Sequence, residues 1–91
     1  MVKRLHARIY GRVQGVFYRY STMQTARDLS LAGWVKNKPD GSVEILCEGE
    51  EERLEALLRW CEQGPPGASV SEIEKKWEAP TGEFKNFEIK Y

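Results

Sequence analysis

Long apolar runs are missing from this chain of 91 residues. Crossing a bilayer takes about 20 consecutive apolar residues, so no membrane partner is expected. The opening Met1-Val2-Lys3-Arg4-Leu5-His6 lacks the apolar core of a signal peptide. A cytoplasmic location is therefore expected. Net charge is missing too, since 14 basic residues balance 14 acidic ones. No overall field draws the chain to nucleic acid or to a charged surface. Cysteine is scarce, with Cys47 closing one strand-like run and Cys61 inside the helix that follows. A helix rises about 1.5 Å per residue, which carries Cys61 beyond disulfide reach of Cys47. Two buried, reduced thiols are expected. The lone His6 falls on a polar strand face, and no second His or Cys stands at metal spacing. No metal or cofactor is expected. Repeats, linkers and low-complexity segments are absent, and a chain this short cannot build a second core. Residues 1–91 are expected to form a single domain.

What is present favours folding: 41% of residues are hydrophobic and 31% charged, the balance of a globular chain. Residues 3–10 alternate, with Leu5, Ala7 and Ile9 on one face, which predicts a half-buried strand. Residues 20–31 carry Thr22, Met23, Ala26 and Leu29 at helical spacing, with Ser21 or Thr22 as candidate caps and Ser30-Leu31-Ala32-Gly33 as the stop. Trp34 to Lys38 and Ser42 to Gly49 flank the turn signal Pro39-Asp40-Gly41 and read as a hairpin. Val43, Ile45 and Cys47 are placed inward there, and Glu44, Leu46 and Glu48 outward. Glu50 to Gln63 reads as a helix with Leu54, Leu57, Leu58 and Cys61 buried, acidic residues in its first turn and Gly64-Pro65-Pro66-Gly67 as its stop. Val70 to Glu78 is a strand in which Ile73 and Trp77 share a face, while Val70 is out of phase and implies a bulge. Phe87, Ile89 and Tyr91 alternate in a final short strand.

The order strand, helix, strand, strand, helix, strand is that of an α+β, ferredoxin-like βαββαβ sandwich. Two helices are expected on one face of an antiparallel sheet, with a short fifth strand. The first two strands should run parallel with the third between them. Their C-terminal ends then share one edge of the sheet.

At that edge lies Gly11-Arg12-Val13-Gln14-Gly15-Val16-Phe17-Tyr18-Arg19. It is a glycine-bearing turn from a strand into a helix. Such a turn points free N–H groups at one spot, where the helix dipole favours negative charge. Arg19 adds a planar fork of donors suited to phosphate or carboxylate. The stretch can therefore cradle an oxyanion. Taken alone, it equally fits a tight turn beside a surface arginine. It is not a P-loop, because no Lys-Ser/Thr pair follows. Neither cysteine is close enough to act as a phosphatase nucleophile. Asn37 comes eighteen positions after Arg19, at the end of the second strand, so the fold brings it alongside. Asn is also a routine turn residue.

Over its full length the chain resembles the acylphosphatases. Residues 11–19 match that family's first signature. Gly33-Trp34-Val35-Lys36-Asn37-Lys38-Pro39-Asp40-Gly41-Ser42-Val43 matches the second, including the spacing from Arg19 to Asn37. Gly64-Pro65-Pro66 also recurs in many members. The resemblance implies hydrolysis of acyl phosphates to carboxylate and inorganic phosphate, without metal or covalent intermediate. It implies Arg19 as phosphoryl ligand and Asn37 as the residue that orients water. The backbone of Gln14, Gly15, Val16, Phe17 and Tyr18 would complete the phosphate loop. The implied partners are small molecules, acyl phosphate and phosphate, with no nucleic acid, and a monomer is the expected state. Tyr18 stands where Phe is common in the family, and Ser30 where a helix-ending Gly is common. A non-catalytic anion-binding regulatory or interaction domain of the same fold is the alternative.

Overall fold

The computed structural model describes residues 1–91. Its elements are β1 (Val2–Arg12), α1 (Tyr18–Asp28), β2 (Ala32–Asn37), β3 (Val43–Glu50), α2 (Glu51–Gln63), β4 (Ser69–Glu78) and β5 (Phe87–Ile89). The strands form one sheet in the order β4-β1-β3-β2-β5. β3 separates β1 from β2 and pairs antiparallel with both, so β1 and β2 are parallel. This is the expected ferredoxin-like arrangement. The inward residues Leu5, Ala7, Ile9, Val35, Val43, Ile45 and Cys47 share one core with Ala26 of α1 and with Leu54, Leu57, Leu58 and Cys61 of α2. Alternation on the strands and the stripe on α2 thus bury the residues they pointed to.

The sheet is mixed rather than antiparallel, because β5 pairs parallel with β2. The cause is where the chain must travel. β4 runs antiparallel to β1 at one edge and so ends away from the cradle. Residues 79–86 then cross the face that the helices leave open. β5 starts on the far edge and can only run back toward the cradle. On the way, Glu48 accepts hydrogen bonds from the Thr81 and Gly82 amides at 2.7 and 2.9 Å, and Arg4 bridges Glu48 and Glu83. Glu48, expected to face solvent, is only 7% exposed because this crossing segment covers it.

Several boundaries differ from expectation. β1 extends to Arg12, and α1 spans Tyr18–Asp28 rather than 20–31. Neither Ser21 nor Thr22 caps α1 with its side chain. Phe17 occupies the capping position, and the Thr22 hydroxyl is buried with no partner. At the other end, Leu31 N–H reaches Ala26 O at 2.9 Å and Ser30 N–H reaches Arg27 O at 3.0 Å. These two bonds define a Schellman turn, with Ser30 at φ 57° in the left-handed position. Met23 and Leu29, expected in the buried stripe, are only half-buried, whereas Tyr18 is fully buried. The expected bulge in β4 is present: pairing jumps from Tyr10–Glu72 to Gly11–Val70, leaving Ser71 unmatched. Ile73 and Trp77 do share the core-side face, but at the sheet edge, where Trp77 stays 37% exposed. Both cysteines are buried and unlinked. Burial raises the Cys61 thiol to about 12 and pushes Cys47 higher still.

Candidate active site

The loop between β1 and α1 is shaped by local backbone chemistry. Gly11 and Gly15 take φ 125° and 76°, which other residues avoid. Phe17 sits at φ 61°, ψ 24°, a left-handed conformation that costs a bulky residue roughly 1–2 kcal/mol. The turn it makes starts α1 at Tyr18, with Ser21 N–H donating to Phe17 O at 3.0 Å as the first helical bond. The amides from Gly15 through Tyr20 donate to no protein acceptor, either on the backbone or on a side chain. Six neighbouring N–H groups are therefore open to an anion at a helix N-terminus.

Two contacts hold this loop in place. The buried Tyr18 hydroxyl donates to Cys61 O, at the end of α2, at 2.7 Å. Burial, then the charge of Cys61 if ionised, pushes the phenol far above its ordinary value, so it remains a neutral donor. Gly64 makes room for the ring: a Cβ there would lie 2.7 Å from Tyr18 Cε2. The second contact is Gln14, whose Nε2 donates to Lys38 O at 2.8 Å and to Ser42 O at 2.9 Å. One amide thus ties the loop to both sides of the β2–β3 turn. Asn37 is the last residue of β2, directly before that turn.

Arg19 and Asn37 line the same cleft, of ≈ 350 Å³, together with Gly15, Phe17 and Tyr18. The structure thus brings together most of the site read from the sequence. Gln14 and Val16 are the exceptions: the Gln14 side chain works behind the cleft, and Val16 packs against the core rather than lining it. The Arg19 guanidinium makes no ion pair and rests 5.1 Å from the Tyr91 ring centre. Asn37 Oδ1 is buried with no hydrogen-bond partner. An unpaired buried carbonyl is costly, and such atoms are scarce in folded proteins. No Asp, Glu or His side chain lines the cleft. Tyr20, Ile89 and Tyr91 also line it, and sequence reasoning missed them. Tyr91 lies outside β5 and is 98% exposed rather than in a strand. Only the parallel direction of β5 would have pointed to Ile89 and Tyr91. A second hollow of ≈ 330 Å³ between α2 and β4 is lined by Leu58, Val70 and Lys75 and by two carboxylates, Glu62 and Glu72, that would repel an anion.

Fold and site together define a small α+β sandwich that presents a row of unbonded backbone amides with one guanidinium at the end of its parallel β1 and β2. Comparison with known proteins gives this class a family. The acylphosphatase family profile matches residues 5–89. An acylphosphatase of Thermococcus kodakarensis is 57% identical over 79 residues, covering 87% of each chain. The crystal structure of the Bacillus subtilis acylphosphatase superposes with a TM-score of 0.95 at 37% identity, covering 100% of both chains. A full-length HypF, solved in a phosphate- and nucleotide-bound form, matches with a TM-score of 0.85 at 30% identity over 12% of its own length. The chain belongs to the acylphosphatase family.

Proposed function

We propose that this chain hydrolyses acyl phosphates, with the phosphoryl group held by the amides of the 14–19 loop and by the Arg19 guanidinium, and the attacking water oriented by Asn37. The observation that carries this reading is the buried, unpartnered Asn37 Oδ1 beside an uncommitted guanidinium and a row of free amides. A carbonyl oxygen can accept a proton of water and so aim the lone pair of that water. The amides and Arg19 neutralise the phosphoryl oxygens, where charge is concentrated. Water oxygen bonds to phosphorus while the bridging P–O bond breaks. The electron pair of that bond leaves with the carboxylate. One water proton passes to a non-bridging phosphate oxygen, so an acyl phosphate dianion and water become carboxylate and dihydrogen phosphate. A carboxylate is a good leaving group and needs no general acid. The absence of carboxylate and imidazole side chains from the cleft lining supports that economy of groups. Positioning and charge are the main tasks.

The chain is read as one domain that acts as a monomer on small molecules. Nucleic acid is not among its partners in this reading. On the open sheet face Glu44 and Glu48 would repel a phosphate backbone, and the Arg4 and Arg8 guanidinia there are already paired with Glu48, Glu83 and Asp40. The test is hydrolysis of benzoyl phosphate with a chelator present. Release of benzoate and phosphate is expected. A folded sample inert under those conditions, yet binding phosphate, would favour the non-catalytic anion-binding alternative.

A further inference from the structure

Arg8 bears on the site from the other side of the sheet. Its neighbour Ile9 points into the core, so Arg8 points to the open face. Its cross-strand neighbours there are two carboxylates, Glu44 and Glu74. It pairs with neither: Glu44 is taken by His6 and Lys38, and Glu74 accepts from the Tyr10 hydroxyl. The guanidinium reaches instead to the β2–β3 turn. Nε donates to Ser42 Oγ and Nη2 to Asp40 Oδ2, both at 2.8 Å. Asp40 closes the fork, since its Oδ1 accepts from the Ser42 amide at 3.0 Å and from the Ser42 hydroxyl at 2.6 Å.

The Arg8 and Asp40 side chains are 33% and 48% exposed, and an ion pair that open to water adds little to stability. What the pair fixes matters more. Ser42 is buried, and its carbonyl is one of the two acceptors of Gln14. The other, Lys38 O, also takes the Gly41 amide at 3.1 Å, and Lys38 N–H donates back to Ser42 O at 2.8 Å. Arg8 and Gln14 therefore grip one turn, Arg8 by the Ser42 hydroxyl and Gln14 by the Ser42 carbonyl. Both come from one run of chain: β1 carries Arg8, and the loop that follows it carries Gln14. Asn37 directly precedes Lys38 at the end of β2. A small rotation of this turn would shift Asn37 against the loop amides and leave those amides and Arg19 as they are.

We infer that Arg8 and Asp40 are positioning residues, which act through Ser42 and Gln14 to hold Asn37 in register with the phosphate cradle. The inference rests on the proposed hydrolytic reading and adds a clamp on the far face of the sheet. Arg8→Ala is expected to lower kcat for benzoyl phosphate by about tenfold and to leave the inhibition constant of inorganic phosphate within about twofold. Asp40→Ala removes the other half of the pair and is expected to show the same split. In a Gln14→Ala background, Arg8→Ala should cost no more than about a further twofold, because residues acting in one chain of bonds are not additive. Guanidinium ion at about 20 mM, far below denaturing concentrations, should raise the turnover of Arg8→Ala by about threefold, since it can reoccupy the emptied fork. Without any substrate, the side-chain amide signals of Gln14 in an isotope-labelled chain should move in Arg8→Ala. Unmoved Gln14 signals overturn the inference, and so do losses from Arg8→Ala and Gln14→Ala that simply multiply. Equal losses in kcat and in phosphate inhibition, or an Arg8→Ala variant that guanidinium only weakens further, would mark a merely structural role and overturn it too. Gln14 signals that move in Arg8→Ala, when the native chain hydrolyses no acyl phosphate, overturn the hydrolytic reading and leave the clamp standing.

Discussion

Arg19 supplies the one charged side chain of the cleft wall. Arg19→Ala is expected to lower turnover by roughly 10²–10³-fold, the usual loss when one donor leaves a preorganised oxyanion site. It should also abolish inhibition by inorganic phosphate. Arg19→Lys should recover little, because an ammonium cannot reproduce the forked contact. Steady-state kinetics with phosphate as inhibitor measures both. Asn37 divides differently. Its Oδ1 has no protein partner to lose, so Asn37→Ala should fold, bind phosphate nearly as the native chain does, and lose turnover. Normal turnover in that variant would remove the water-orienting role. Arg19 and Asn37 were legible as residue types with suitable chemistry and spacing. Tyr91 was not, because its place at the cleft depends on which way the last strand runs.

α1 is held at each end by backbone geometry rather than by side-chain caps. Ser30 occupies the left-handed position of a Schellman turn at φ 57°, where glycine is at ease. Ser30→Gly should stabilise the chain by about 0.5 kcal/mol, the relief of backbone strain being partly offset by greater freedom of the unfolded chain. A shift of the urea midpoint at unchanged m-value is the reading. At the N-terminal end, the loop keeps its place through Gln14, which bonds Lys38 O and Ser42 O. Gln14→Ala should leave phosphate inhibition closer to native than turnover. Turnover should fall by about tenfold or more, since small misplacements of positioned groups are expensive. A parallel loss of both would mean that the bonds only stabilise the fold. Gln14 was read from sequence as part of the phosphate loop. Its side-chain partners lie 24 and 28 residues away, a distance no local pattern reports.

Across the whole molecule, residues 79–86 strap the open face of the sheet through Glu48. Burial alone would raise the Glu48 carboxyl. The Thr81 and Gly82 amides, Arg4 and the Thr81 hydroxyl outweigh burial and hold it below its ordinary 4.5. A carboxyl depressed in the folded state stabilises fully above its ordinary value, and this contribution is lost as pH falls through the folded value. Glu83, Glu44 and Asp40 are lowered too and act in the same direction. Native Tm should therefore fall steadily as pH drops below about 4.5. Glu48→Gln should be less stable at neutral pH by roughly 1–2 kcal/mol, the cost of weakening bonds to buried donors. Its Tm should then decline less steeply in acid. Parallel Tm curves for the two proteins would show that the strap draws nothing from this charge.

Local pattern was enough for the elements that announce themselves within a few residues. Alternation at Leu5, Ala7 and Ile9, the stripe at Leu54, Leu57, Leu58 and Cys61, and the out-of-phase Val70 all came through. The order of those elements implied the sandwich and the meeting of Arg19 with Asn37, because parallel strands end on the same edge. Tertiary structure alone decided the direction of β5, the covering of Glu48, the Gln14 bonds and the ring of aromatics around the cleft. Each depends on segments far apart in the chain that are brought together by the burial of a shared core. Periodicity reports which face of an element is apolar, and carries no information about what packs against the other face.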